Sequence, residues 1–146
     1  MKSKLIHAAH GQRTFAVIFD AGDEAMAGLA RFARDHGLSA AQFTAIGAFS
    51  RATLAYFDWE TRQYQDIPVD EQVEVLSLTG DVSEEADGTP KVHAHAVVGR
   101  RDGSTRGGHL KAGYVRPTLE VVLTDSPAHL RRRHDPHSGL SLIDAG

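Results

Sequence analysis

The sequence predicts an α+β domain, a single unit in which one main helix packs on a mostly antiparallel sheet of about seven strands. Three observations carry this. Only the segment after Asp23 repeats its apolar residues at helical spacing, while some seven or eight short segments are β-branched, aromatic or alternating. Short turns separate those segments, which favours hairpins over helical crossovers. The chain has 146 residues, with 41% hydrophobic and 24% charged, enough for one ordinary core.

The elements follow in order. Residues 1–13 read as an N-terminal extension carrying His7 and His10, and residues 14–143 as the domain. Thr14 to Asp20 (TFAVIFD) is a strand. Asp23 then suits an N-cap, and EAMAGLARFARDHG a helix closed by Gly37, with Met26, Leu29, Ala30, Phe32 and Ala33 as its buried stripe. His36 in the last turn is placed favourably against the helix dipole. Phe43 to Ile46 and Ala52 to Phe57 read as two strands divided by Gly47-Ala48-Phe49-Ser50. A turn at Trp59 to Arg62 leads to a strand at Gln63 to Ile67, and another follows at Gln72 to Leu78. Glu84 to Pro90 is an exposed loop. Two strands then form a hairpin rich in histidine, Thr118 to Thr124 (TLEVVLT) is a further strand, and Leu140 to Ile143 an edge strand.

Composition narrows the function classes. The net charge is −3 with histidine neutral, a poor basis for binding nucleic acid. Arginines do cluster, at Arg100, Arg101 and Arg106 and again at Arg131, Arg132 and Arg133, and a solvated face or a set of ion pairs is the expected role of such a cluster. Without cysteine there is neither a disulfide framework nor a thiolate metal site. No apolar run approaches the roughly 20 residues that span a bilayer, and the N-terminus is too short in apolar residues for a secretory signal. The expectation is a cytoplasmic protein. No P-loop, nucleophile elbow or dinucleotide fingerprint is present.

The chemistry concentrates in KVHAHAVVGRRDGSTRGGHLKA, residues 91–112. Side chains alternate across a strand, so His93 and His95 share one face while Val92, Ala94, Ala96 and Val98 take the other, core-facing side. The place of His109 depends on the loop. A two-residue loop at Asp102-Gly103 sets it opposite Ala96, on the wrong face. A three-residue loop, Asp102-Gly103-Ser104, or a bulge at Gly107-Gly108 brings it to the histidine face. Three imidazoles on one ion leave a position open, the pattern of catalytic zinc sites, although nitrogen ligands also suit copper, nickel or iron. Two readings stay open here: a metal site, or polar strand residues. Glu120 in TLEVVL is a candidate general base or partner of a ligand, and equally a solvated strand residue. Arg100, Arg101 and Arg106 are candidates for binding an anion.

Four blocks, IGAFSRATLAYFD, EVLSLTGDVS, KVHAHAVVGRRDGSTRGGHLKAG and TLEVVLTDSP, together resemble the PPC domain family of plants and prokaryotes. The resemblance covers about residues 14 to 143. It implies an antiparallel sheet of about seven strands, a homotrimer, and, in prokaryotic members with the HxH…GGH pattern, a divalent metal site with zinc as the occupant. Carried across, the ligands are His93, His95 and His109, with the site near a subunit boundary. Plant members join this domain to AT-hooks, and no such segment occurs in the sequence. The resemblance therefore implies a metal-binding trimer, and Arg100, Arg101 and Arg106 add a small anionic molecule as a candidate partner. A DNA-binding or regulatory module is the alternative.

Overall fold

The computed structural model describes residues 1–145. Among these residues there are nine strands and one helix: β1 (Lys2–Ala9), β2 (Gln12–Asp20), α1 (Ala25–His36), β3 (Ala40–Asp58), β4 (Gln63–Val69), β5 (Val73–Glu84), β6 (Pro90–Gly99), β7 (Thr105–Asp125), β8 (Arg131–His134) and β9 (Ser141–Asp144). One sheet contains all nine, running β1-β2-β7-β3-β5-β8-β9, with β4 on β3 and β6 bridging β5 and β7. The pairings β3–β5, β5–β6, β6–β7 and β7–β3 thus close a circuit. Every pairing is antiparallel except β5–β8, which meet in parallel at Glu84 and Arg131. The sheet is mixed, with nine strands where about seven were expected.

Local chemistry explains the differences. Lys2–Ala9 pair with β2 as the edge strand β1. The two strands expected around Gly47 are one, β3, because Gly47 marks a close approach and not a turn. A Cβ there would lie 2.3 Å from the Thr118 carbonyl oxygen, and the register shifts on either side of it. Likewise β7 joins the returning arm of the histidine hairpin to TLEVVLT. Its Pro117 falls in the gap where pairing with β3 skips from Leu119 to Val115, so no ladder bond is lost to the missing N–H. The helix is capped by Glu24 and not Asp23. The Glu24 carboxylate accepts from the Met26 and Ala27 amides, whereas Asp23 is taken up by the Asp20 amide and the N-terminal ammonium. Gly37 closes the helix in the left-handed region, φ 60°.

The core lies between α1 and the sheet. Phe15, Val17 and Phe19 of β2, Leu29 and Phe32 of α1, and Leu119, Val121 and Leu123 of β7 are buried in one cluster. Val92, Ala94, Ala96 and Val98 of β6 join it, as their alternation predicts. That burial fixes which way His93 and His95 point. No helix is long and apolar enough to cross a membrane among the described residues.

Candidate metal centre

The three histidines meet because the β6–β7 loop has odd length. Arg100 N–H donates to the Ser104 carbonyl (2.8 Å) and Gly103 N–H to the Arg100 carbonyl (2.9 Å). Gly103 takes φ 82°, and the Asp102 carboxylate accepts from both the amide and the hydroxyl of Ser104. The loop is therefore Arg101-Asp102-Gly103, one residue earlier than expected, with glycine at the left-handed third position. The face is the one a three-residue loop requires, but His109 sits opposite His95 and not opposite Val97. No bulge is needed at Gly107-Gly108. Gly108 instead serves packing, since a Cβ there would come within 2.6 Å of the Ala55 carbonyl oxygen on β3.

One ligand nitrogen from each of His93, His95 and His109 falls within 4.8 Å of the others. The Nε2 atoms of His93 and His95 are 3.2 Å apart. Asp81, directly opposite His93 on β5, presents Oδ2 at 3.3 Å from His93 Nδ1. A neutral His93 that donates from Nδ1 to this carboxylate has a bare Nε2, which accepts the His95 Nε2–H. Asp81 is itself held by Arg132, whose Nη2 donates to Oδ1 at 2.7 Å. The same guanidinium donates to Ser83 Oγ and to the Ser141 carbonyl. Its side chain is only 7% exposed.

Charge follows this geometry. Burial pushes the His109 imidazole down to about 4, with the neighbouring His93 and His95 adding to the effect. Burial, then His93, also lowers His95. Burial alone would raise the Asp81 carboxyl, but hydrogen bonds from His93 and Arg132, with the Arg132 charge, hold it below the usual carboxylate range. His109 is thus a neutral lone-pair donor at neutral pH, and its buried Nδ1 has no hydrogen-bond partner. An orphaned buried nitrogen beside two further imidazoles fits a divalent transition ion. The carboxylate behind His93 is the orienting partner that ligating histidines characteristically have.

The triad opens onto a cleft of about 450 Å³. Phe57 and Tyr64, from the β3–β4 hairpin, and Leu140 and Leu142, from the β8–β9 hairpin, form apolar walls, and Lys91 and Glu85 are the charged pair there. The Tyr64 ring centroid is 4.9 Å from that of His109.

Other anticipated residues lie elsewhere. Glu120 is further along β7, in a separate groove with Ile46, Glu74 and Leu76. Arg100 pairs with Glu71 at 2.6 Å, Arg106 donates to the Pro68 carbonyl, and Arg101 lies beside Arg100 near Gln72 and Glu74. None of the four lines the histidine cleft. Arg131, Arg132 and Arg133 form ion pairs with Glu84, Asp81 and Asp144. Asp81, Arg132 and Tyr64 are the residues that sequence reasoning missed. Asp81 shows itself in sequence only as one of three carboxylates in β5, with Glu74 and Glu84, and its role needs the β5–β6 register.

Known proteins share both fold and sequence with this chain. A protein from Pyrococcus horikoshii described as plant- and prokaryote-conserved (PPC) superposes with a TM-score of 0.84 at 32% identity, covering 90% of this chain and 91% of that one. A metal-containing protein from Archaeoglobus fulgidus gives 0.82 at 32% identity, covering 98% and 99%. The bifunctional protein GlmU of Synechococcus sp. (strain JA-3-3Ab) is 37% identical over 114 residues, 76% of this chain. The chain spans 17% of that relative's length. The profile of the Plants and Prokaryotes Conserved (PCC) domain matches residues 6–127, and the chain belongs to that family.

Proposed function

We propose that this protein is a homotrimer that binds a divalent transition ion, zinc, through His93, His95 and His109. The observation that carries the reading is the convergence of one ring nitrogen from each of three imidazoles to within 4.8 Å, one of them the His109 ring whose buried Nδ1 has no hydrogen-bond partner. When bound, such an ion supplies a Lewis-acid position open to a small molecule. The residues of the chain do the rest. Asp81 and Arg132 orient His93, burial keeps His109 neutral, and the cleft admits a ligand beside the triad. The Archaeoglobus neighbour, described as metal-containing, supports the same reading.

Self-association is supported by an apolar outer face on β3, β5 and β7. Ile46 is 62% exposed, Leu76 53% and Val122 51%, and a cluster of this kind on a soluble sheet marks an interaction surface. A DNA-binding module has less support, because four of the six clustered arginines, Arg100, Arg131, Arg132 and Arg133, are engaged by carboxylates.

The test is the metal content per subunit of protein purified without an affinity tag, compared between wild type and His95→Ala. Near-stoichiometric zinc that is lost in the variant supports the site. A wild type that holds no metal, and takes none up on dialysis against zinc, rejects it.

A further inference from the structure

The cleft says which ligands suit the triad, and this inference rests on the metal-binding reading. The fixed charges around the site already cancel: Arg132 faces Asp81 at 2.7 Å, and Lys91 faces Glu85 at 4.0 Å. A divalent ion on three neutral imidazoles therefore adds positive charge that no side chain of the site balances, which favours an anionic ligand. The walls restrict the anion. Phe57, Tyr64, Leu140 and Leu142 are apolar or aromatic. The Arg132 guanidinium is turned away from the ligand's needs, since it already serves Asp81, Ser83 and Ser141. A phosphate needs several charge-assisted donors, and beyond the committed Arg132 the cleft offers only the Lys91 ammonium, which faces Glu85 at 4.0 Å. A carboxylate on an apolar body needs only the ion for its head and the walls for its tail.

We propose that the cleft of the metal-loaded protein binds a small monocarboxylate with an aromatic or branched apolar body. Its carboxylate is drawn to the ion, and its body packs against Tyr64 of β4 and Leu142 of β9. The β8–β9 hairpin is then part of the specificity pocket. It is anchored by Arg132 to Asp81 and by Ser141 Oγ to Glu85 at 2.9 Å, and it lies beyond residues 6–127, where the family profile matches.

The experiment is calorimetric titration of the zinc-loaded protein with benzoate, acetate and inorganic phosphate, with zinc content measured before and after. Benzoate is expected to bind about tenfold or more tightly than acetate, the size of one aromatic packing contact, and phosphate no better than acetate. Tyr64→Ala and, on the other wall, Leu142→Ser should each reduce that preference severalfold, compared with wild type at equal measured zinc content. Equal affinity for benzoate and acetate, or a preference for phosphate, with zinc bound, overturns the ligand class and leaves the metal site standing. Absence of bound zinc overturns both.

Discussion

Arg132 and Asp81 join the C-terminal hairpin to the histidine site: Nη2 lies 2.7 Å from Oδ1, and the other carboxylate oxygen is 3.3 Å from His93 Nδ1. The contact does two things. It anchors β8, which among the described residues pairs with the body of the sheet at Glu84–Arg131 alone. It also keeps Asp81 ionised, so that His93 donates from Nδ1 and offers a bare Nε2.

Loss of this relay should weaken metal binding without removing a ligand. Asp81→Asn and Arg132→Met are each expected to reduce zinc affinity about 10–100-fold, read by competition with a chelator of known affinity. Arg132→Lys keeps the charge but cannot fork to Asp81, Ser83 and Ser141 together, so it should rescue only part of the loss. Nitrogen-resolved NMR of the metal-free protein should find His93 as the Nδ1–H tautomer in wild type and a mixture in Asp81→Asn. Wild-type affinity in both variants would reduce the relay to a structural contact.

The metal-free protein should lose stability as pH falls from about 6.5 to about 4. His109 has its ordinary value near 6.5 when unfolded and about 4 when folded. Between those values the unfolded chain binds more protons, so stability is full above 6.5 and declines as pH falls through the window. His95 shifts in the same direction. The lowered Asp81 carboxyl acts further down: its contribution is present above 3.8 and is lost at still lower pH. Thermal unfolding at stepped pH, for wild type and His109→Gln, checks this. The variant should show a shallower decline over the window, and identical profiles would remove His109 as the cause.

Much of this was legible in the sequence, and the rest was not, for physical reasons. Alternation alone placed His93 and His95 on one face, because the small apolar residues between them had to enter the core. It could not place His109, since one residue of loop length reverses a strand's face. The expected loop, Asp102-Gly103-Ser104, set the glycine second, whereas its left-handed preference favours the third position, which Gly103 occupies. Gly47 read as a turn because sequence does not distinguish a glycine that bends the chain from one that makes room for Thr118. Three consecutive arginines show no alternation, so β8 was invisible, although Arg132 is buried while Arg131 and Arg133 are exposed. Asp81 gave no functional signal at all, because its partner is fixed by strand register.

The hairpin glycines test how the site is assembled. Gly103→Ala puts a side chain at φ 82°, where L residues are strained, and should cost roughly 1–2 kcal/mol. Gly103→Asn, better tolerated there, should recover most of it. Gly108→Ala forces a Cβ to within 2.6 Å of the Ala55 carbonyl oxygen, so β7 must move away from β3, at a cost of about 1–3 kcal/mol. His109 pairs with Ala55 on that strand, so zinc affinity should fall in Gly108→Ala more than in Gly103→Asn. Denaturant unfolding and chelator competition on the same samples would show it, and a Gly108→Ala protein with wild-type zinc affinity would contradict the argument.

The apolar outer face makes a prediction separable from the metal. Ile46 and Leu76 line a groove with Glu120 and Glu74, Val122 lines a second one with Thr44 and Thr124, and none of the three exposed aliphatics belongs to the buried core. In a monomer, Ile46→Lys and Val122→Lys should leave stability within about 0.5 kcal/mol, as exposed substitutions do. In a trimer built on this face, each places charge in an apolar contact and should shift the assembly toward monomer. Sedimentation velocity at several concentrations reads the difference. If Leu76→Lys, Ile46→Lys and Val122→Lys all sediment as wild type, the subunits associate through another surface or not at all. If the variants become monomeric yet still bind zinc with unchanged affinity, all three ligands come from one chain, and the site does not need a neighbouring subunit to complete it.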